Sequence, residues 1–302
     1  MTLSDNLLAP AADRHWKVGP YEIEHIRLGL MGIDAGALFG IVPRAIWERI
    51  YPHVDHHNRL LLGCFAILIR GNGLTIVADS GIGDKISDKM RRNFAVQQVE
   101  RALPRALQAR GIAPEDVTHH IYTHLHFDHC GGATEFGVDG RIRPTFPKAR
   151  YLVQGGQLAW AANPSDKDKA SYLPENWDCV VDAGQLVELS GDTALAPGID
   201  LRVANAHTPG MMMILVSGEG QGILFAIDLF QTSAHLTPHY VPALDNHPLA
   251  AIDEKRICLE ECHANGWTLV PGHDPFAAPG QVMRSDLGKW SIRQPGESTP
   301  NP

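Results

Sequence analysis

Residues 123–132 read T-H-L-H-F-D-H-C-G-G and place His124, His126, Asp128 and His129 within six positions. Imidazole nitrogen and carboxylate oxygen are what a borderline divalent ion such as zinc accepts, with nitrogen dominant. The run follows 119–123 (HHIYT), which reads as a buried strand, so alternation sends His124 and His126 to one side as the strand ends. The chain then turns ahead of Gly131-Gly132 and offers Asp128 and His129 from a second direction. Four ligands converging from one loop point to two metal ions rather than one. Two ions need more ligands, and three candidates follow, each at the C-terminal end of a predicted strand. They are His207 in A-H-T-P-G, Asp228 closing I-L-F-A-I-D, and His273 in V-P-G-H-D-P. Asp228 ends an apolar strand, where an unpaired buried carboxylate would be costly. Each of the three alone reads as structural; together they complete a ligand set.

The elements that must carry these residues are short. Segments 65–69 (FAILI) and 74–78 (LTIVA) flank Gly71-Asn72-Gly73, a hairpin signal. Further strands are predicted at 151–153, 201–204, 213–216, 223–227 and 267–270. Apolar residues at helical spacing predict helices over 93–110, interrupted by Pro104, and over 249–264. Strands and helices mixed in this order give an α/β class with layered sheets and outer helices. Residues 28–47 (LGLMGIDAGALFGIVPRAIW) are apolar and Gly-rich with no clean period. They are expected to form an irregular core segment or an apolar lid beside the site, and they offer a face for a homodimer. The expected organisation is a lead-in over 1–19, one domain over 20–286 and a flexible tail over 287–302.

Composition narrows the function. The 26 basic and 34 acidic residues give a net charge of -8, without the basic bias that a phosphate backbone demands. No apolar run is long enough to span a bilayer, and the N-terminus lacks the apolar core of a secretory signal. A cytoplasmic protein acting on small molecules, with neither nucleic acid nor membrane as partner, is the expectation. Five cysteines, an odd and irregularly spaced set, argue against a disulfide framework. Cys258, Cys262 and His263 share a predicted helix but lack a second pair to close a zinc site, so they read as packing, as does Cys130.

On these motifs the chain resembles the metallo-β-lactamase superfamily. The matching elements are T-H-L-H-F-D-H-C-G-G at 123–132, H-T-P-G at 207–210, A-I-D at 226–228, P-G-H-D at 271–274 and V-A-D-S-G-I-G at 77–83. The resemblance implies a four-layer αββα sandwich with a dinuclear site at one edge of the two sheets. It puts His124, His126 and His207 on one ion, Asp128, His129 and His273 on the other, and Asp228 between them. Asp79 would orient a ligand imidazole through its free ring nitrogen. Zinc is expected, with manganese, iron and cobalt compatible with the same ligands.

A bridging hydroxide attacking a lactone or carboxylic ester of a moderately apolar small molecule is the implied reaction, with Asp128 also placed to accept a proton. Organophosphate or phosphodiester hydrolysis, a glyoxalase II type thioesterase and a β-lactamase are alternatives on the same site. A metal-bound ligand sensor with little turnover is an alternative of another class, and a redox metalloprotein a further one. Acyl-homoserine-lactone lactonases typically carry a Tyr three residues after the bridging Asp; here the residue is Gln231, so Tyr122, Tyr240 or His235 is the candidate substitute. Met211, Met31, Phe39 and Phe127 are expected to wall an apolar pocket with Gln231, His235 and Tyr240.

Overall fold

Asn72 and Gly73 both hold a positive φ, 49° and 76°, and link strands Arg59–Gly71 and Leu74–Ala78 through the tight turn that the sequence signalled. This hairpin sits inside the first of two large sheets of the computed structural model, which describes residues 13–52 and 54–294. The first sheet runs in the order Arg14–Val18, Tyr21–Asp34, Arg59–Gly71, Leu74–Ala78, His119–Ile121, Arg150–Gln154 and Leu186–Leu189, with Gln97–Gln98 added beside Tyr21–Asp34. The second runs Thr193–Ala196, Ile199–Ala204, Met211–Gly218, Gln221–Ile227, Thr268–Pro271, Gly280–Arg284 and Trp290–Arg293.

Period-two burial joins the layers. Along Arg59–Gly71, Ile67 and Ile69 enter the core that also holds Ile214, Val216 and Phe225 of the second sheet. Ala66 and Leu68 point the other way and pack with Leu103 and Leu107 of helix Ala102–Gln108. Outside the second sheet lies helix Pro248–Asn265, which buries Cys258, Leu259 and Cys262 and ends at Gly266 with φ 65°. Helix, sheet, sheet and helix stack as the four-layer αββα sandwich.

The structure departs from local expectation in four places. The helix expected over 93–110 is confined to Ala102–Gln108, with a separate short helix at Asp88–Asn93. Left-handed φ at Ala95 and Arg101 breaks it, and Gln97–Gln98 pairs with Gly29 and Leu30 instead. Pro104 falls in the first turn, where its missing N–H has no helical partner to lose. Residues 28–47 are not irregular: the strand Tyr21–Asp34 continues into helices Ala35–Phe39 and Arg44–Ile50. That strand is covered on both faces over most of its length, which erases the alternation. Arg14–Val18, expected in the lead-in, pairs antiparallel with the next strand, and Trp16 lies edge-on to Phe225 at 6.0 Å. Trp290–Arg293, expected in the tail, pairs with Gly280–Arg284. The rest of both terminal segments, 1–12 and 295–302, lies outside the described residues.

Candidate metal centre

Every predicted ligand leaves the C-terminal end of a strand at one edge of the sandwich. Asp79 follows Leu74–Ala78, and the run from His124 follows His119–Ile121. His207 follows Ile199–Ala204, Asp228 follows Gln221–Ile227, and His273 follows Thr268–Pro271. His126 precedes a single helical turn, Phe127–Cys130, which turns Asp128 and His129 inward. That turn rests against residues 80–83 so closely that a Cβ on Gly131 would lie 1.9 Å from the Ile82 carbonyl oxygen, and one on Gly132 2.3 Å from that of Ser80. Ser80 N–H donates to the His129 carbonyl at 2.6 Å, and Lys85 Nζ donates to the Gly131 carbonyl and, at 2.6 Å, to that of Thr134. Burial lowers the Lys85 amine to about 8.

The ligand atoms converge as two overlapping groups. His126 Nδ1 lies 3.1 Å from His124 Nε2 and 3.1 Å from His207 Nε2. In the second group His129 Nε2 and His273 Nε2 are 3.0 Å apart, with Asp128 Oδ2 3.7 Å and 3.6 Å from them. Asp228 spans both groups. Its Oδ1 is 3.2 Å from His129 Nε2 and 3.0 Å from His273 Nε2, while Oδ2 is 3.3 Å from His207 Nε2. All seven residues are buried.

The outer ring nitrogens decide what the inner ones can do. His129 Nδ1 faces Asp79 Oδ2 at 2.9 Å, His207 Nδ1 faces Asp245 Oδ1 at 2.8 Å, and His273 Nδ1 faces the Gly63 carbonyl at 2.7 Å. Each partner is an acceptor, so each Nδ1 carries a proton and Nε2 is the ring atom turned inward, the one a metal ion would take in place of a second proton. Imidazole nitrogens 3.0 Å apart must share either a proton or a cation. Asp228 Oδ1 is buried against the same two inward nitrogens, His129 Nε2 and His273 Nε2, and has no partner beyond them among the described residues. The donor set therefore fits divalent metal ions.

Charge follows from the same contacts. Burial lowers His124 and His126 far below the ordinary imidazole value. At His129, His207 and His273 burial also lowers the value, but Asp228 and the other nearby carboxylates outweigh it and hold all three above that value. Burial opposes the charge of Asp228, yet His273, His129 and His207 keep its carboxyl well below the ordinary range.

Residues 59–273 match the metallo-β-lactamase superfamily. The chain belongs to this superfamily. It is 24% identical over 236 residues to the N-acyl homoserine lactonase AttM of Azorhizobium caulinodans, covering 71% of this chain and 82% of that one. The N-acyl homoserine lactonase AiiB of Agrobacterium fabrum is 29% identical over 225 residues, covering 69% and 78%. Among solved structures, one described as a probable metal-dependent hydrolase from Staphylococcus aureus superposes with a TM-score of 0.82 at 27% identity, covering 93% of this chain and 99% of that one. AidC, a dizinc quorum-quenching lactonase in complex with a product, gives 0.76 at 18% identity over 96% and 98%, a likeness of fold. A metal-dependent hydrolase of the metallo-β-lactamase superfamily accounts for the sequence, the sandwich and the clustered ligands together.

Beside the ligands of this metallo-β-lactamase fold opens a cavity of about 170 Å³. Ile33, Leu62, Phe94 and Phe127 supply its apolar wall, Gln231 borders Asp228 and His273, and Lys167 and Leu244 stand on its outer side. Phe127 and Gln231 both line this cavity. Met31, Phe39, Met211, His235 and Tyr240 are not part of this wall. Phe39 is sandwiched against Trp47 and His235, at 5.2 Å and 4.9 Å between ring centres, inside a core cluster with Met31. His235 spends both ring nitrogens on Thr232 and the Leu38 carbonyl, and burial lowers it to about 3. Tyr240 packs against that cluster. Met211 faces the inter-sheet core. Tyr122 donates to the Asn176 carbonyl at 2.9 Å among the residues under the outer helices, so it cannot replace the absent phenol.

Three residues that organise the centre went unrecognised in the sequence. Asp245 supports His207. Gln157 accepts from Leu125 N–H at 2.9 Å and donates to Thr208 Oγ1 at 3.2 Å and to the Pro209 carbonyl at 2.6 Å, stapling the first His loop to the His207 loop. Lys167 Nζ donates to the carbonyls of Leu244 and Asp245 at 2.7 Å and 3.0 Å and to Asn246 Oδ1 at 3.3 Å. None has a fixed sequence spacing to a ligand, and no local signal marks them.

Proposed function

We propose that this hydrolase carries a dinuclear centre, zinc by preference, and opens a lactone or cleaves a carboxylic ester of a moderately apolar small molecule. The observation that carries the reading is Asp228, whose two oxygens face two separate ligand groups beside an apolar-walled cavity. Lactonases among the curated relatives point the same way.

Two divalent ions held there would supply Lewis acidity at a carbonyl and lower the pKa of water to about 7. The chain's own residues supply the rest. His124, His126 and His207 hold one group, and Asp128, His129 and His273 the other. Asp79 and Asp245 keep the proton of their partner rings on the outer nitrogen, so the inner lone pairs stay aimed. Asp128, the least enclosed oxygen donor of the set at 8% exposure, borders the cavity and is the residue suited to accept a proton released during attack. Ile33, Leu62, Phe94 and Phe127 exclude water from the face where an apolar substituent would lie. All five cysteines are free, which suits a cytoplasmic setting.

Metal analysis of the purified protein, paired with a hydrolysis screen before and after chelation, tests this reading. The screen holds lactones, aryl esters, a thioester, a β-lactam and an aryl phosphotriester. About two zinc ions per chain and chelator-sensitive cleavage confined to lactones or esters is the expected result. Preference for the phosphotriester, or two irons without hydrolysis of any compound, would overturn it.

A further inference from the structure

His126 is turned the opposite way to the other imidazoles of the centre. Its Nδ1 is the inward atom, 3.1 Å from His124 Nε2 and 3.1 Å from His207 Nε2, so its Nε2 faces outward. A neutral ring that gives Nδ1 to a metal ion carries its proton on Nε2. That nitrogen is buried and finds no hydrogen-bond partner among the described residues. The outer nitrogens of His129, His207 and His273 each meet an oxygen acceptor, and His124 Nδ1 lies 3.3 Å from Thr123 Oγ1. A buried donor without an acceptor is costly, so His126 needs one of another kind.

The cavity does not provide it. His126 borders that space, but Nε2 itself is closed to solvent, so neither water nor a substrate atom reaches it. Two rings packed against His126 belong to His124 and His207, at 4.6 Å and 4.9 Å between centres, and both meet its Nδ1. That leaves Tyr172, a buried ring centred 4.9 Å away and inclined at 58°. An aromatic face carries negative potential and accepts an N–H aimed at it. An antiparallel bridge between the main chains of His126 and Tyr172 holds the two rings in place. The Tyr172 hydroxyl lies 2.7 Å from Oγ1 of Thr208, the residue after His207. One side chain therefore touches two ligand loops.

We propose that Tyr172 is a positioning residue for the group His124, His126 and His207. Its ring face accepts the outer N–H of His126, and its hydroxyl steadies the His207 loop through Thr208. The ring does for His126 what Asp79 does for His129 and Asp245 for His207: it keeps the proton outside and the inner nitrogen aimed. This inference rests on His126 holding an ion through Nδ1, and not on which substrate the centre cleaves.

The test reads metal affinity and a histidine N–H signal. In competition against a chromophoric chelator, Tyr172→Leu should lower zinc affinity by about 10-fold, the low end for losing a group that orients a ligand, while Tyr172→Phe, which keeps the ring, should stay within about 3-fold of wild type. Unchanged affinity in the Leu variant overturns the proposal, and so does an equal loss in both variants, which would place the effect in the hydroxyl. In the zinc-loaded protein labelled with 15N-histidine, the His126 Nε2 proton should resonate upfield of the outer N–H protons of His129, His207 and His273. An aromatic face shields a proton above it, whereas oxygen acceptors deshield theirs. Tyr172→Leu should abolish that shielding. A wild-type His126 signal downfield with the others overturns the proposal even if the Leu variant does not fold. Wild-type protein that takes up no zinc overturns the metal reading as well, whereas zinc-loaded wild type without shielding overturns this inference alone.

Discussion

Asp245 Oδ1 lies 2.8 Å from Nδ1 of His207 and so fixes which nitrogen of that ring faces Asp228 and His126. The segment bearing Asp245 is itself held from two sides. Asn246 N–H donates to the His207 carbonyl at 3.0 Å, and Asn246 Nδ2 donates to Asp168 Oδ2 at 2.7 Å. Asp168 also accepts from Trp160 Nε1 and Ser165 Oγ, at 2.8 Å and 2.9 Å. A ligand in one loop is thus oriented by a carboxylate in a second, anchored to a third.

Removing that carboxylate frees the His207 ring to exchange tautomers and tilt. Asp245→Ala should lower metal affinity by about 10–100-fold, the usual effect of losing a group that orients a ligand. Asp245→Asn, still able to accept from Nδ1, should lose less. Competition against a chromophoric chelator measures both, and wild-type affinity in the Ala variant would remove Asp245 from the design.

Gly272 is needed for space rather than for backbone freedom. A Cβ there would lie 2.7 Å from the Ile227 carbonyl oxygen and 3.1 Å from Asp228 Oδ1. Ile227 already holds φ at 50°, unusual for a β-branched residue, so the backbone has little room to retreat. Gly272→Ala should therefore displace Asp228, lowering metal content and turnover at least 10-fold. The cost in stability should be about 1–3 kcal/mol. A variant with full metal content and activity would show that the strand end can absorb the methyl group.

Much of the centre could be read from sequence because its ligands sit at strand ends with marked neighbours. The four from His124 to His129 share one loop, and His207, Asp228 and His273 each follow an apolar run. Asp245 could not be read this way: it is 38 positions from His207 in an unpatterned loop, and its role exists only through tertiary proximity. Gln157 is hidden for the same reason. Pocket residues were harder still. Phe39, Met31 and His235 have the chemistry of a wall, but strand Tyr21–Asp34 and helix Ala35–Phe39 turn them into a core cluster. The apolar period over 93–110 was genuine at Ala102–Gln108, yet Gln97–Gln98 was captured by the edge of Tyr21–Asp34. Tertiary pairing overrode local propensity there.

Tyr122 provides a contrast with the ligands. Its hydroxyl donates to Asn176 among the residues beneath the outer helices, away from the cavity wall. Tyr122→Phe should leave kcat and KM within about 2-fold of wild type. It should destabilise by about 1–3 kcal/mol, because the Asn176 carbonyl loses its buried donor. A large loss of kcat with unchanged melting temperature would instead put the phenol in the reaction.

Lys255 makes a prediction about pH. It is fully buried on helix Pro248–Asn265, its Nζ donates to the Tyr240 carbonyl at 2.7 Å, and it lies 5.7 Å from the Phe230 ring centre. Burial lowers the amine to about 8, with Asp245 opposing the shift. In the unfolded chain a lysine titrates near 10.4. Between those values the unfolded state holds a proton that the folded state has released, so stability contributed by this group rises with pH across that window. Below pH 8 both states hold the proton, and folding bears the whole cost of burying the ammonium. Lys255→Met removes that dependence, with a constant offset of about 1 kcal/mol from the lost hydrogen bond. Denaturant unfolding of both proteins from pH 7 to pH 10 should show wild type gaining on the variant by up to about 3 kcal/mol. Lys85, also near 8, titrates in both and cancels in the difference. Parallel curves would mean that Lys255 keeps an ordinary pKa in the fold.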